Sequence, residues 1–351
     1  MMNRTQRENG RFTHLVLVAV GISVAAILFW LLFWYLVDIL LLVFAGILLA
    51  IFLRGLADLL SRYTLLPQGW SVTIIILLFF IGLGACLLLF GPFIADGFGQ
   101  LAENLPKALE RLEEYIRQYD FSRRVLEQAL ENQEFMSLAP DTLGRITGIF
   151  STAIGALGSF IIMIVIGIYL SVEPDVYIQG IVRLVPMDKR DRAYAVFKTL
   201  GYTLRWWLVG RFAAMLAVGL LTWLGLFLLD VPSAAALATL SGLLTFVPNV
   251  GPILAAVPAV LIGLTQSPWV ALYVLILYVV IQNAEGYLLT PLIQRRIIAM
   301  PPAFLLTMEV IMGVSLGVLG LLLATPLAVV LIVLTKMLYI EDVLGDSVEL
   351  R

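Results

Sequence analysis

Long uncharged stretches alternate along this chain with short charged ones: Leu15 to Val37, Ile39 to Leu53, Trp70 to Ala95, Ile146 to Val172, Phe212 to Leu229 and Val231 to Ala284 carry no Asp, Glu, Lys or Arg. A bilayer core of about 30 Å needs roughly 20 helical residues, and every backbone amide inside it has to be satisfied within the helix. The stretches therefore predict membrane helices. Ile39 to Leu53 is short, and with Asp38 at the turn it predicts a tight hairpin partner for the first span. Val231 to Ala284 is long enough for two spans and a hairpin that dips in over Ser233 to Thr265 and returns. The last apolar block, Ala303 to Thr335, contains Glu309 and the glycines Gly313, Gly317 and Gly320, which predict a bend in its middle.

Composition supports the same class. Of 351 residues, 61% are hydrophobic and 13% charged, whereas water-soluble chains run at roughly 45–50% and about 25%. The basic start, Arg4, Arg7 and Arg11, resembles a signal peptide, but the apolar part that follows is too long for a cleaved one and leads into a second apolar run, so it reads as a retained span. The single cysteine, Cys86, has no intrachain partner. No basic domain points to nucleic acid.

Charge bias sets an expected orientation. The amino-terminal arginines, Arg54 with Arg62, and the segment Glu173 to Arg211 (seven bases, four acids) fall on one side if the first four spans alternate. Asp96 to Arg145, with ten acids and six bases, falls on the other. The amino terminus is thus expected in the cytoplasm. Within the outer segment, Leu101, Leu105, Leu109, Leu112, Ile116 and Tyr119 recur at helical spacing and predict an amphipathic arm over Gln100 to Phe135, either a hairpin lying on the membrane surface or a subunit contact or lid over the transport path. Val185 to Arg211 is amphipathic too. Its bases beside Trp206 and Trp207 suit a helix lying against an anionic inner leaflet.

Candidate chemistry lies in the last third. Phe246-Val247-Pro248-Asn249-Val250-Gly251-Pro252 places two prolines and a glycine inside an uncharged run, so the helix must break there. Irregular backbone at membrane depth is tolerated only where protein buries it or where it lines an aqueous cavity, which makes the break a candidate binding site. A related pattern recurs where Gly313, Gly317 and Gly320 precede Leu323-Ala324-Thr325-Pro326. Paired Gly/Pro-interrupted segments point to the binding site of a secondary transporter. Between them lies Gln282-Asn283-Ala284-Glu285, followed by Thr290-Pro291 and by Arg295-Arg296. Carboxylates at membrane depth are functional candidates by default, so Glu285 and Glu309 are candidates for a residue that gains and loses a proton; the structural alternative for Glu285 is an ion pair with Arg295, Arg296 or Arg211.

Three motifs in order, FVPNVGPILAAVPA at 246–259, QNAEGYLLTPLIQRR at 282–296 and GVSLGVLGLLLATPLAVVL at 313–331, give the chain a resemblance over nearly its whole length to the autoinducer-2 exporter family of bacterial permeases, the PerM-like transporters. The resemblance implies a bacterial inner-membrane permease of about eight membrane segments, with members assigned to export of autoinducer-2 and others to sodium-proton antiport. It puts the family's Pro-x-x-Gly-Pro turn on Pro248, Gly251 and Pro252, its amide-Glu pair on Asn283 and Glu285, and its following proline on Pro291. Many relatives have His-Pro where this chain has Met300-Pro301, which removes an imidazole relay.

The expected protein is therefore an all-α polytopic membrane protein of about eight membrane segments, two of its hairpins broken or re-entrant, with an amphipathic helical arm outside the membrane. Its expected parts are a three-span unit over 1–95, the arm over 96–145, a fourth span with the basic amphipathic helix over 146–211, a transport core over 212–338 and a tail over 339–351. The expected function is export of a small molecule, or ion exchange, driven by a proton or sodium gradient. The expected substrate-binding residues are Pro248, Asn249, Gly251, Pro252, Gln282, Asn283, Glu285, Pro291, Glu309, Gly313, Gly317, Gly320 and Pro326. No cofactor or metal is expected; membrane lipid, a small-molecule or ion substrate and further copies of the chain are the expected partners. A gated channel and a membrane scaffold working through the arm remain alternatives. An enzyme is disfavoured, because the sole histidine, His14, rules out an HExxH site or a His-based triad, and no phosphate loop is present.

Overall fold

The computed structural model describes residues 4–64, 66–85, 158–289 and 300–346, with the single positions 88, 92 and 99. The amphipathic arm, Pro291 and the Arg295-Arg296 pair lie outside the described residues. Among those described, the secondary structure is helical and contains no strand. Among the described residues, five helical stretches are long and apolar enough to cross a membrane by length and composition, six if a bent pair counts as one span. The chain is an all-α, multi-pass membrane protein.

Helix α1 runs from Arg4 to Tyr63 without interruption. The hairpin expected at Asp38 does not form: neither glycine nor proline stands near it, so nothing breaks the backbone, and the aspartate stays exposed on the helix. Arg11 and Arg54 lie about 65 Å apart along this rod. The shared face that the orientation reading gives them needs a turn that α1 does not have. Helix α2 covers Gln68–Ala85 and α3 covers Gly158–Val172, which bends by 84° at Glu173 into α4, Pro174–Val182. Pro174 sits in the first turn of α4, where its missing N–H costs nothing.

Helix α5, Arg190–Leu228, is a single rod about 58 Å long. The basic stretch and the fifth span are thus one helix, and a boundary at 211/212 falls inside it. Two of its bases pair with acids far away in the sequence. Arg205 pairs with Asp58 at 2.9 Å and donates to the Gly55 carbonyl at 2.6 Å. Arg192 pairs with Glu341 at 2.6 Å and Asp342 at 2.9 Å near the carboxyl end. Trp207, read as an interfacial anchor, is buried and meets Phe246 edge-on with ring centroids 5.7 Å apart. Arg54 donates to the Ser171 carbonyl at 3.3 Å, so two of the three basic blocks do meet, around Arg54 and Arg205.

After a turn at 229–233 come α6 (Ala234–Leu244), α7 (Val250–Gln266) and α8 (Pro268–Ala284). At about 16 Å, α6 is too short to cross a bilayer core. The chain folds back from it into α7, with Phe246 to Asn249 at the tip. Lipid supplies no hydrophobic drive between helices, so close approach has to come from small residues. A Cβ on Gly242 would lie 3.0 Å from the Met215 carbonyl oxygen of α5, and one on Gly263 would lie 3.2 Å from the Ala271 Cα of α8. Buried Leu226, Leu237, Ala255, Ala259, Ile262, Val274 and Tyr278 join α5 to α8 in one core. A second core joins Leu48 of α1 and Leu204 and Trp207 of α5 to Leu323, Val329 and Val333.

Those last three belong to α9, Pro302–Leu334, which is helical by hydrogen bonding but reverses at Gly317 (φ 63°, ψ −151°). Residues eight apart in a straight helix are about 12 Å apart. Here a Cβ on Gly313 would touch the Leu321 side chain at 3.5 Å, and Gly320 presses on the Met312 carbonyl. The block is a second hairpin, with arms over 302–316 and 318–334. Gly317 has open space around it, so only its backbone angles demand glycine. Gly317→Ala is expected to cost about 1–3 kcal/mol, the range for such strained backbone, read as a lowered unfolding midpoint in detergent micelles; an unchanged midpoint would rule out the reversal.

Candidate functional site

The site lies between the two cores, where both hairpins approach α5. Arg211 is one turn beyond Trp207 on α5 and reaches across the first hairpin: its Nε donates to the Phe246 carbonyl at 2.9 Å and its Nη1 to Glu285 Oε1 at 3.3 Å. The exposures of the two side chains are 11% and 8%, so this pair is held away from water. Glu285 opens a π-helical turn, Glu285–Leu289, of a kind frequent at functional sites. Gln282, one turn earlier, donates to Glu285 Oε2 at 2.9 Å. Of the three arginines proposed as its partners, Arg211 pairs with it, and Arg295 and Arg296 lie outside the described residues.

Glu309, on the incoming arm of the second hairpin, is completely buried. Neither of its oxygens has a hydrogen-bond partner among the described residues, and the same holds for Arg211 Nη2 and Thr325 Oγ1. Asn249, Thr325 and the Arg211 charge are the groups that act on its carboxyl. Thr325 stands on the returning arm just before Pro326, which removes the donor to the Leu322 carbonyl. Pro258 does the same to Leu254 in α7. The weak repeat seen in the sequence thus takes the same form twice: a tip, then a helix with an internal proline.

Asn249 holds the tip of the first hairpin in a rare backbone conformation, φ 58° and ψ −57°. The Val250 N–H donates to the Pro248 carbonyl at 2.6 Å, closing a three-residue turn of the strained γ type. Such strain, of order 1–3 kcal/mol, persists only where the surroundings enforce it, and it clusters at ligand clamps and switches. Gly251 follows with the Leu244 carbonyl directly against it, and Pro252 occupies the first turn of α7, where an N–H would have no partner.

The structure brings Asn249, Gln282, Glu285 and Glu309 together, with Pro248, Gly251, Pro252, Gly313, Gly320 and Pro326 shaping the backbone around them. Asn283 is exposed and donates to Val279 of its own helix at 2.7 Å. Gly317 is at an open tip. Arg211 and Thr325 were missing from the expected set. Arg211 had a readable signal, being a lone base between Trp-Trp and a long apolar run, but its position at the end of a basic block put it with the loop. Among the described residues, no group of three or more His, Cys, Asp or Glu could hold a metal ion.

When both carboxylates are ionised, Arg211, Glu285 and Glu309 carry a net charge of minus one. Burying net charge costs several kcal/mol. One proton or one monovalent cation at Glu309 brings the cluster to neutrality, so the arrangement suits a group that is loaded and unloaded.

Comparison with known proteins points the same way. The profile of a family described as "AI-2E family transporter" matches residues 23–340. The chain is 27% identical over 276 residues to YueF of Bacillus subtilis (strain 168), a candidate transport protein, covering 74% of each chain. It is 25% identical over 332 residues to YrrI of the same organism, also named as a candidate transport protein, covering 90% of this chain and 92% of the relative. A shorter match, 32% over 125 residues, covers 35% of this chain and 36% of the AI-2 transport protein TqsA of Escherichia coli (strain K12).

Proposed function

The chain belongs to the AI-2E transporter family, and from that premise we propose that this membrane transport protein is a secondary transporter, exporting a small molecule or exchanging ions against a proton or sodium gradient. The observation that carries the reading is Glu309: a wholly buried carboxyl without a hydrogen-bond partner, set where two broken hairpins meet and beside a buried arginine already paired elsewhere. A purely structural carboxylate would be satisfied. In this reading Glu309 carries the coupling proton, and Asn249 with the carbonyls freed near both tips holds the cargo. The AI-2 transport protein among its relatives favours a small polar signalling metabolite as that cargo.

The membrane is the bacterial inner membrane. The end carrying Arg54, Arg62 and Arg205 faces the cytoplasm by charge bias. Whether the amino terminus shares that face depends on the turn that α1 lacks, and reporter fusions at residues 1 and 346 decide it. Several copies assemble through the arm; cysteines placed there should crosslink in intact membranes, and an unchanged monomer band would end that part of the reading.

The test is proton flux in proteoliposomes loaded with a pH dye, under imposed sodium, lithium and metabolite gradients. Glu309→Gln is the cleaner variant, since Glu285→Gln leaves Arg211 buried and unpaired. Gradient-dependent proton movement is expected in the native protein and absent in Glu309→Gln. Saturable metabolite flux with no proton movement would replace the coupled transporter by an uncoupled facilitator or channel.

A further inference from the structure

We propose that Arg211 transmits the charge state of Glu309 to the tip of the first hairpin by exchanging partners. The inference rests on the reading of Glu309 as the coupling carboxyl.

A guanidinium is a rigid planar fork with five N–H donors. Here its three nitrogens are unequally used. Nε is committed to the Phe246 carbonyl at 2.9 Å, Nη1 reaches Glu285 at 3.3 Å, and Nη2 is buried without a partner. The bond to Glu285 is long for a charge-assisted one, which runs at about 2.7–2.9 Å. Glu309 offers two unpartnered buried oxygens within electrostatic reach. The charged groups that face it are Arg211 of α5 and, through Arg211, Glu285 of α8. From the hairpins it meets Asn249 and Thr325, which do not titrate.

An idle arm of the fork therefore stands near an idle carboxyl. With Glu309 protonated, Glu285 is the only anion present and Arg211 stays on Glu285 and Phe246. With Glu309 ionised, two carboxylates compete for one guanidinium. Because the fork is rigid, turning Nη2 toward Glu309 carries Nε away from the Phe246 carbonyl. That bond and the Trp207–Phe246 ring contact hold the tip of the first hairpin to α5. Losing one of the two loosens a tip whose next residues are already wound into the strained turn at Asn249. Arg211 is thus a positioning residue: it acts on the cargo site through the tip.

The experiment is pulsed electron paramagnetic resonance on the full chain in proteoliposomes. Spin labels are placed at Leu216 of α5 and Ile253 of α7, both exposed, in a Cys86→Ser background. Distances are compared between about pH 5 and about pH 9, a range that brackets carboxyl titration in proteins. The native cluster is expected to show a second distance population that grows with pH. Glu309→Gln should lose it. So should Arg211→Gln/Glu285→Gln, which removes one charge of each sign together with the fork and leaves Glu309 as the one carboxyl of the cluster. Arg211→Lys keeps the charge but not the fork, and is expected to retain less of the shift. A native protein without a pH-dependent shift overturns the proposal, as does a shift that persists in the double variant or is undiminished in Arg211→Lys. Proton flux through the same proteoliposomes separates the two failures: a shift without flux removes the transport reading and keeps the exchange, and flux without a shift does the reverse.

Discussion

Gly251→Ala is expected to destabilise the protein by about 3 kcal/mol, the upper end for forced overpacking, and to abolish transport. The added methyl would fall on the Leu244 carbonyl oxygen and lie 2.6 Å from its carbon. Both groups are backbone, so no rotamer change relieves the clash; the turn between α6 and α7 has to open. Space alone requires glycine here, since Gly251 has no positive φ. Opening the turn would displace Asn249 and the Phe246 carbonyl together, removing two of the groups that face Arg211 and Glu309. The check is the unfolding midpoint in detergent micelles alongside flux. Gly286→Ala is the control: a glycine of the π turn with nothing within 4 Å of an added Cβ. Equal midpoints for the two variants would refute the tip geometry.

Arg211→Met should be the most damaging change to a side chain, costing about 3–5 kcal/mol, because breaking a buried ion pair from one side leaves an uncompensated charge. The residue lost ties α5 to Glu285 and to the tip by hydrogen bonds at once. Arg211→Met/Glu285→Gln should recover much of the loss, since replacing both members of a buried pair is often close to neutral. The interaction energy from the full double-mutant cycle is the deciding quantity. Strict additivity would mean that the pair at 3.3 Å contributes nothing and that Arg211 acts through its other contacts, the Phe246 carbonyl among them.

What could be read from the sequence was the location of each break, because Gly and Pro act on their own backbone. Pro248 with Gly251, and Gly317 within its glycine cluster, mark the two hairpin tips correctly. Asp38 misled for the complementary reason: a lone charge resembles a loop, yet it removes no backbone donor and forces no turn, so α1 continues through it. Trp206 and Trp207 beside bases resembled an interfacial anchor, but pattern cannot distinguish lipid headgroups from the acids of another helix as partners for Arg192 and Arg205. For the site, Glu285 and Glu309 stood out because a carboxylate at membrane depth is costly. Arg211 was legible only as one of three possible ion-pair partners of Glu285, and Thr325 not at all: their part in the cluster depends on three elements far apart in sequence meeting at one place.

The incoming arm of the second hairpin has one fully buried residue, Glu309, and beyond it leans on the protein mainly through the partly buried Met312 and Leu316. Val310, Ile311, Val314 and Val318 along the arm and its tip are exposed to the surrounding medium, which for this protein is acyl chains. Residues 302–316 span about 22 Å, less than a bilayer core of about 30 Å. The lipid is therefore a packing partner of the arm that bears the buried carboxyl. A thinner bilayer is therefore expected to change how Glu309 is seated, read as proton flux that depends on acyl-chain length in proteoliposomes.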